Sequence, residues 1–153
     1  MQHIRNTIRG IVIKDEKLLT IRIADGDDEY YILPGGQLEL NETAIEALQR
    51  ECREELGCDV SVKECLFIRE FIGARRQAPI GSVGDQHLLE LYFRAHLKTE
   101  PDLLIREAQQ KEIAWISIEA LSHADIKPEF LQTAIPKLLA QSSPTNPYMG
   151  DVD

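Results

Sequence analysis

The chain has 153 residues, of which 43% are hydrophobic and 28% are charged. These proportions are typical of a globular protein and argue against a disordered chain, and the length suits one domain with a substantial core. The net charge of −9 argues against a nucleic-acid partner, because binding to nucleic acid needs a basic surface. An acidic protein still binds small phosphates when metal ions reverse the local field.

The three cysteines, Cys52, Cys58 and Cys65, are odd in number and match no zinc-binding spacing. They predict free thiols in a reducing compartment. The first residues lack the apolar stretch of a signal peptide, and no apolar run approaches the roughly 20 residues that span a bilayer. We therefore expect a cytoplasmic protein without a membrane partner.

The first third of the chain predicts two strands, at about residues 7–13 and 17–23, which are joined by the polar turn "KDEK". The loop "DGDDEYY" and the short apolar stretch "YILPGG" follow. The proline and glycines of that stretch interrupt regular structure.

A helix with clear start and stop signals comes next. Thr43 and Glu46 form a capping box, which predicts that the helix begins near Ala44. Gly57 suits the left-handed conformation that ends a helix, so the last helical residue is expected near Leu56. Asn41 is expected in a left-handed turn just before the helix.

The rest of the chain alternates strands with a helix. "DVSVKECLFIREFIG", "HLLELYFRAHL" and "EIAWISIEAL" predict strands, the last of them entering a short helix, and "PEFLQTAIPKLLA" predicts a closing helix. Strands on both sides of one central helix indicate an α/β domain with a mixed sheet. We expect one domain over residues 1–140 and a polar, loose tail over 141–153.

The central helix carries two neighbouring faces when residues are placed at about 100° intervals. The first is an apolar stripe that should face the core, made of Ile45, Leu48, Cys52 and Leu56. The second holds the small residues Ala44 and Ala47 together with three glutamates, Glu51, Glu54 and Glu55. The carboxylates should therefore lie beside the buried stripe and converge, since their spacing is i, i+3 and i+4.

Converging carboxylates repel one another by roughly 1 kcal/mol per pair at 4 Å in water, and by more near a protein surface. A hard divalent cation would offset that repulsion, and Mg²⁺ suits a site of carboxylate oxygens. Three glutamates on a helix are nevertheless common, and the triplet alone is more typical of a solvated face than of a metal site.

The surrounding residues favour the metal site, because they resemble the signature of the Nudix hydrolase family. That signature is a glycine, five residues, a glutamate, seven residues and then "REUXEEXGU", where U is aliphatic and X is any residue. All seven fixed positions are present: Gly36, Glu42, Arg50, Glu51, Glu54, Glu55 and Gly57. Cys52 and Cys58 stand where the family usually has an aliphatic residue, and we expect both to pack as small apolar groups.

The resemblance implies an α/β/α sandwich with a mixed sheet. It also implies a Mg²⁺- or Mn²⁺-dependent hydrolase that cleaves a nucleoside diphosphate linked to another group. In the family, the second and third glutamates of the helical run are core metal ligands, which here are Glu54 and Glu55. Glu51 often joins them, and a loop glycine carbonyl, here that of Gly36, commonly completes the metal shell.

The resemblance also implies that Arg50 orients a glutamate by a salt bridge and that Glu42 supports the loop before the helix. The family varies in its general base, so Glu54, Glu51 or a later glutamate such as Glu90 or Glu112 stays open. For Glu90 and Glu112, a surface carboxylate is the more common interpretation. The same holds for Arg75 and Arg76, which are candidates to bind substrate phosphate but more often would be ordinary loop charges.

The substrate is not indicated by the residues outside the signature. The position where many ADP-ribose enzymes of the family carry proline is Ala74 here, and the motifs of the dinucleoside-tetraphosphate and NADH enzymes are absent. We therefore expect a small nucleotide diphosphate derivative as partner, and a homodimer is left open. The alternative is a Nudix domain that binds nucleotides as a sensor without turnover, but such domains commonly lose the glutamates that this chain keeps.

Overall fold

The computed structural model describes residues 3–76, 86–102, 111–141 and 143–153. Its strands are β1 (Arg5–Ile11), β2 (Ile13–Lys14), β3 (Lys17–Asp25), β4 (Asp28–Ile32), β5 (Gly35–Gln37), β6 (Val60–Ile72), β7 (His87–Leu97), β8 (Lys111–Ser117), β9 (Ile126–Lys127) and β10 (Tyr148–Asp151). The helices are α1 (Ala44–Leu56) and α2 (Leu131–Ala140), and short 3₁₀ turns cover Gly73–Arg75 and Ile118–His123.

The strands form two sheets. The first has the order β10-β6-β7-β1-β5, and the second has the order β2-β3-β4-β9 with β8 paired to β3. Strand β1 runs parallel to β7 and antiparallel to β5, so the first sheet is mixed. The α/β class with a mixed sheet that the sequence predicted is confirmed.

Alternate residues of the inner strands pack into two separate core clusters, as the two-residue period of a strand requires. Ile8 and Val12 of the β1–β2 region join the cluster beneath α1, whereas Ile11 joins the cluster beneath α2. In β7, Leu91 and Phe93 face the α1 side, and Tyr92 faces the α2 side. Both faces of the first sheet are covered by a core cluster. A polar residue whose side chain points away from one cluster is therefore directed toward the other and not toward solvent.

Helix α1 begins and ends where its sequence signals predicted. Thr43 accepts a hydrogen bond from the amide of Glu46, and the Glu46 carboxylate accepts one from the amide of Thr43. Gly57 closes the helix in the left-handed conformation, at φ 61°. Asn41 is also left-handed, at φ 68°. These two local rules fix the register of the helix that carries the glutamates.

The buried stripe of α1 differs from the predicted one by a small rotation. Ala47, Leu48, Cys52 and Leu56 are fully buried, whereas Ile45 is 43% exposed. Ile45 lies in the first turn of the helix, where Ala47 is the buried residue. Cys52 and Cys58 are buried, at 0% and 2% exposure, as expected of small apolar groups.

The segment 141–153 was expected to be loose, and the structure corrects this expectation. Tyr148–Asp151 forms β10, which pairs in parallel with the outer edge of β6. Asp151 accepts hydrogen bonds from the amide of Ile72 and from the guanidinium of Arg76. The sequence of β10 is polar and does not by itself predict a strand. Its hydrogen bonds to the edge strand β6 stabilise the extended conformation.

Among the described residues, no helix is both long and apolar enough to span a membrane.

Candidate active site

Two consecutive glycines bring the loop before α1 against the first sheet. Gly35 and Gly36 lie in β5, opposite Arg9 and Ile8 of β1. Gly35 has φ +140°, and a Cβ there would collide with the carbonyl oxygen of Ile8. A Cβ on Gly36 would overlap the carboxylate of Glu51. The backbone requires glycine at position 35, and glycine at position 36 lets the loop approach the helix without displacing the Glu51 carboxylate.

Arg50 ties this loop to the helix. Its Nε and Nη2 donate to the two carboxylate oxygens of Glu42 at 3.0 and 2.7 Å, and Nη2 also donates to the carbonyl of Gln37 at 3.1 Å. The paired arrangement is the planar fork geometry that favours arginine over lysine. The same contacts lower the pKa of Glu42 below its usual value, with the Arg50 hydrogen bond as the largest cause.

Arg50 also holds two glutamates of the same helix. Its Nη1 donates to Glu51 at 2.9 Å and to Glu54 at 3.3 Å. The Glu51 side chain is 13% exposed, and that of Glu54 is 60% exposed. In the described part of the chain, no three acidic, histidine or cysteine side chains converge in a metal-binding geometry. The three glutamates therefore share one region of the helix, as predicted, but their carboxylates do not converge on one point. Arg50 neutralises two of them, Glu51 and Glu54.

Glu55 is the exception, because Arg50 does not reach it. Its Oε2 atom is buried and has no hydrogen-bond partner in the structure described here. Burial, followed by the charge of Glu51, raises the pKa of Glu55 to about 7, against the opposing influence of Arg9 and Lys111. The backbone amide of Gly35 also donates a hydrogen bond to this carboxylate, but the Oε2 atom stays without a donor, and a buried oxygen without a partner is costly. A hard cation at this oxygen would supply the missing partner, so the donor chemistry fits Mg²⁺ or Mn²⁺.

Arg9 joins the glutamate cluster to a neighbouring cleft. Its Nη1 donates to the carbonyls of Leu33 and Gly35 at 3.2 and 3.1 Å, and its Nε lies 3.8 Å from Oε1 of Glu90. Sequence reasoning missed this residue. The available signal was a single arginine inside the apolar strand "TIRGIVI", since a charge is rarely buried there without a partner.

The cleft has a volume of about 570 Å³ and opens between the first sheet and the β4–β9 edge of the second. Its lining combines apolar side chains with charged residues of both signs, so it offers an apolar wall and polar groups that can orient a ligand. The lining residues that matter below are Ile32, Leu33, Arg69, Leu88, Glu90 and Arg76.

Glu90 was expected to be a surface carboxylate, and this expectation is wrong. It is only 4% exposed, because its face of β7 packs toward the α2 side of the molecule. Oε1 accepts from the Thr7 hydroxyl at 3.0 Å, and Oε2 accepts from the Tyr92 hydroxyl at 2.8 Å. Arg69 approaches the same Oε2 at 2.9 Å. Glu90 is thus a buried, multiply bonded carboxylate in the wall of the cleft.

The remaining candidates lie away from the glutamate cluster. Glu112 on β8 is exposed and accepts a hydrogen bond from Arg22 at 2.6 Å, so it is a surface ion pair. Arg76 binds Asp151 and Asp153 and lines the cleft, which makes it more than an ordinary loop charge. Arg75 is mostly exposed and lies 3.7 Å from Asp151.

Comparisons with known proteins agree with this geometry. A family model described as NUDIX domain matches residues 4–138. The chain is 33% identical over 98 residues to nucleoside triphosphatase NudI of Enterobacter sp. (strain 638), a match that covers 63% of this chain and 67% of that protein. It is 39% identical over 62 residues to ADP-ribose pyrophosphatase of Methanocaldococcus jannaschii, covering 40% of this chain and 37% of that protein.

Among solved structures, a NUDIX hydrolase from Nitrosomonas europaea superposes with a TM-score of 0.73 at 20% sequence identity, with 92% of each chain covered. At this identity the likeness concerns the fold. It agrees with the sandwich architecture that the sequence signature implied.

Proposed function

The chain belongs to the Nudix family of pyrophosphohydrolases, and we propose that it cleaves the diphosphate bridge of a nucleoside diphosphate linked to a second group. The products would be a nucleoside monophosphate and a second phosphorylated compound. The observation that carries this proposal is the buried, unpartnered oxygen of Glu55, which lies within a complete family signature. A buried carboxylate oxygen without a hydrogen-bond donor is more economical as a cation ligand than as a structural group.

The proposed metal ligands are the carboxylates of Glu51, Glu54 and Glu55 and the backbone carbonyl of Gly36. They supply only oxygen, which favours Mg²⁺ or Mn²⁺ over the nitrogen- and sulfur-seeking metals. The ion would lower the pKa of bound water and neutralise charge on the phosphoryl oxygens. The close approach of Gly36 to Glu51 supports this assignment, because it places the loop backbone next to a helical carboxylate.

Arg50 is proposed to position the glutamates. It keeps Glu51 and Glu54 on one side of the helix while its other nitrogens anchor the loop through Glu42. A guanidinium held by several oxygens presents a rigid fork, so the glutamates that it contacts keep a defined orientation before the substrate arrives. The cost of ordering these side chains is then met during folding and not during catalysis.

The general base is proposed to be Glu54 or Glu51. Both lie on the helix face that would meet the diphosphate, and Glu54 is open to water at 60% exposure. Glu90 is saturated by hydroxyl and guanidinium partners, and Glu112 is paired with Arg22. A base must reach the proton of the attacking water. Neither of the later glutamates lies in the glutamate cluster of α1.

The proposal is tested by incubating the purified protein with a panel of ADP-ribose, UDP-glucose, diadenosine tetraphosphate and nucleoside triphosphates. Each is assayed with Mg²⁺, with Mn²⁺ and with a chelator. The expected result is metal-dependent release of a nucleoside monophosphate from at least one compound. Products identified by mass would show whether the bond cleaved lies within the phosphate chain. Binding of the same compounds without turnover would instead indicate a nucleotide sensor and would contradict the proposal.

A further inference from the structure

The base of the cleft holds more positive charge than its carboxylate neutralises. Arg9 and Arg69 both approach Glu90, with nitrogen–oxygen distances of 3.8 and 2.9 Å. Arg9 has further partners in two backbone carbonyls. Arg69 contacts no backbone carbonyl of the described residues, and no hydrogen bond joins its guanidinium to another described residue. Its Nε–H is poorly aligned with Glu90, so that contact is an ion pair and not a hydrogen bond.

This lack of partners matters because Arg69 is 6% exposed. A guanidinium carries five N–H donors. The buried nitrogen without a hydrogen bond is Nε, which faces Glu90, and the two outer nitrogens have no hydrogen-bond partner among the described residues. The side chain is also held in place, because its guanidinium carbon lies 5.3 Å from the centre of the Phe71 ring. Arg69 thus presents fixed, unused donors to a cleft of ligand size.

Glu90 cannot turn to satisfy those donors. Its two oxygens already accept from the Thr7 and Tyr92 hydroxyls, which come from two neighbouring strands, β1 and β7. The carboxylate therefore fixes the position of Arg69 without consuming its outer donors. The acceptors for the outer nitrogens therefore come from solvent or from a ligand that enters the cleft.

We propose that Arg69 is the residue that selects the base of the substrate, by donating two hydrogen bonds to the adjacent oxygen and ring-nitrogen acceptors of a keto purine. This inference rests on the proposed function, because it places the nucleoside in the cleft and the diphosphate at α1. Arg9 contacts Glu90 in the cleft and the loop carbonyl of Gly35 beside the glutamate cluster, so the two regions are contiguous.

The physical basis is the pattern of acceptors on the base. Guanine and hypoxanthine offer O6 and N7 side by side, which match the guanidinium fork. Adenine offers N7 beside an amino group, so the second N–H of Arg69 would meet a donor. The apolar side chains of Ile32, Leu33 and Leu88 line the same cleft and would pack against the ring in either case. Arg69 therefore supplies discrimination and not general affinity.

The test measures binding of guanosine, inosine and adenosine 5′-monophosphates by calorimetry, in chelator, to the intact protein. The expected result is that guanosine and inosine monophosphates bind at least about tenfold more tightly than adenosine monophosphate, the lower end of what a two-point arginine contact discriminates. In Arg69→Lys, which keeps the charge beside Glu90 but loses the fork, the preference should fall to within about twofold. Melting curves establish that the variant is folded.

Arg94→Lys is the matched control. Arg94 also lies in the first sheet and pairs with a glutamate, Glu64, at 2.8 Å, but it does not line the cleft. It should keep the preference of the unmodified protein. Inosine monophosphate that binds like adenosine monophosphate would overturn the proposal, since the guanine amino group would then be what is recognised. Equal affinities for all three, an unchanged preference in Arg69→Lys, or no binding of any of them would overturn it as well.

These outcomes are separable from the proposed function because no metal and no turnover are involved. A protein that prefers keto purines but hydrolyses nothing would contradict the proposed function alone. A protein that hydrolyses a nucleotide derivative without a base preference would contradict only the role of Arg69.

Discussion

The carboxylate of Glu51 occupies the space into which a side chain at Gly36 would project. The two residues are 15 positions apart, and they meet because β5 pairs with β1 while α1 packs over the same strands. The glycine of the family signature therefore serves a steric purpose here. It allows the helical carboxylate to lie against the loop backbone.

Gly36→Ala is expected to displace that carboxylate. The added methyl group overlaps the carboxylate end of the Glu51 side chain, which can rotate away, so we expect a loss of only about 0.5–1.5 kcal/mol in the free energy of unfolding. Urea unfolding in chelator measures the cost, and divalent-ion titration measures the expected weakening of metal binding. Gln37→Ala, at the exposed neighbouring position, is the control and should change neither. If Gly36→Ala changes neither the free energy of unfolding nor the affinity for divalent ions, the steric argument is refuted.

Arg50→Lys is expected to destabilise the protein although the charge is kept. Lysine cannot donate to both oxygens of Glu42 while it also reaches Glu51, so the link between loop and helix is lost. We expect a loss of about 1–3 kcal/mol, as for broken hydrogen bonds to charged groups, and lower turnover. Arg53→Lys is the matched control. Arg53 is 61% exposed with one carboxylate partner, Asp59, and its replacement should stay within about 0.5 kcal/mol. Equal effects at the two positions would contradict the argument.

The local features of α1 could be predicted because they depend on adjacent residues. The capping box of Thr43 and Glu46 and the left-handed Gly57 are set by backbone hydrogen bonding over a few positions. The positions of the glutamates follow from the same helix. The salt bridge between Arg50 and a glutamate was implied by the family resemblance, and the structure shows it. That Arg50 holds two glutamates of the helix could not be predicted, since the second contact depends on side-chain orientation.

The cleft could not be predicted either, because it is built by long-range packing. Glu90 alternates away from the apolar face of β7, which ordinarily indicates solvent, yet that face is covered by a second core. Its partners Thr7 and Arg69 are distant in sequence and belong to other strands. Strand β10 was missed for a related reason: its pairing with β6 joins segments about 80 residues apart.

The pKa of Glu55 makes the stability of the metal-free protein depend on pH. The folded protein holds the Glu55 proton up to about pH 7, whereas the usual value for the free side chain is 4.5. Between these values the folded state binds more protons than the unfolded state, so stability falls as the pH rises through this window. The contribution amounts to up to about 3 kcal/mol. Urea unfolding in chelator from pH 4.5 to pH 8 measures it.

Glu55→Gln should remove that part of the pH dependence and raise stability above pH 7 relative to the unmodified protein. Glu54→Gln is the comparison, because Glu54 is exposed and its charge is already screened by water. A Glu55→Gln protein whose stability still falls over the same window would place the titrating group elsewhere.

Substitutions of Glu54 and Glu55 should also show whether the α1 glutamates bind a metal in an enzyme or are only a solvated helix face. If Glu54 and Glu55 are metal ligands, Glu54→Gln should weaken divalent binding sharply in a calorimetric titration, and Glu55→Gln should lower hydrolysis by at least about 10²-fold at saturating Mg²⁺. That loss corresponds to about 2.7 kcal/mol of transition-state stabilisation. A merely solvated glutamate would leave stability and activity nearly unchanged.

Cys52→Val is the control on the same helix. Cys52 is fully buried beneath α1, and valine restores the aliphatic residue usual at this place in the family, so turnover should be nearly unchanged. Comparing this variant with Glu55→Gln separates a change in helix packing from the loss of a ligand. Turnover near that of the unmodified protein in Glu55→Gln would show that the glutamates of α1 do not carry the chemistry, whatever the resemblance of their spacing.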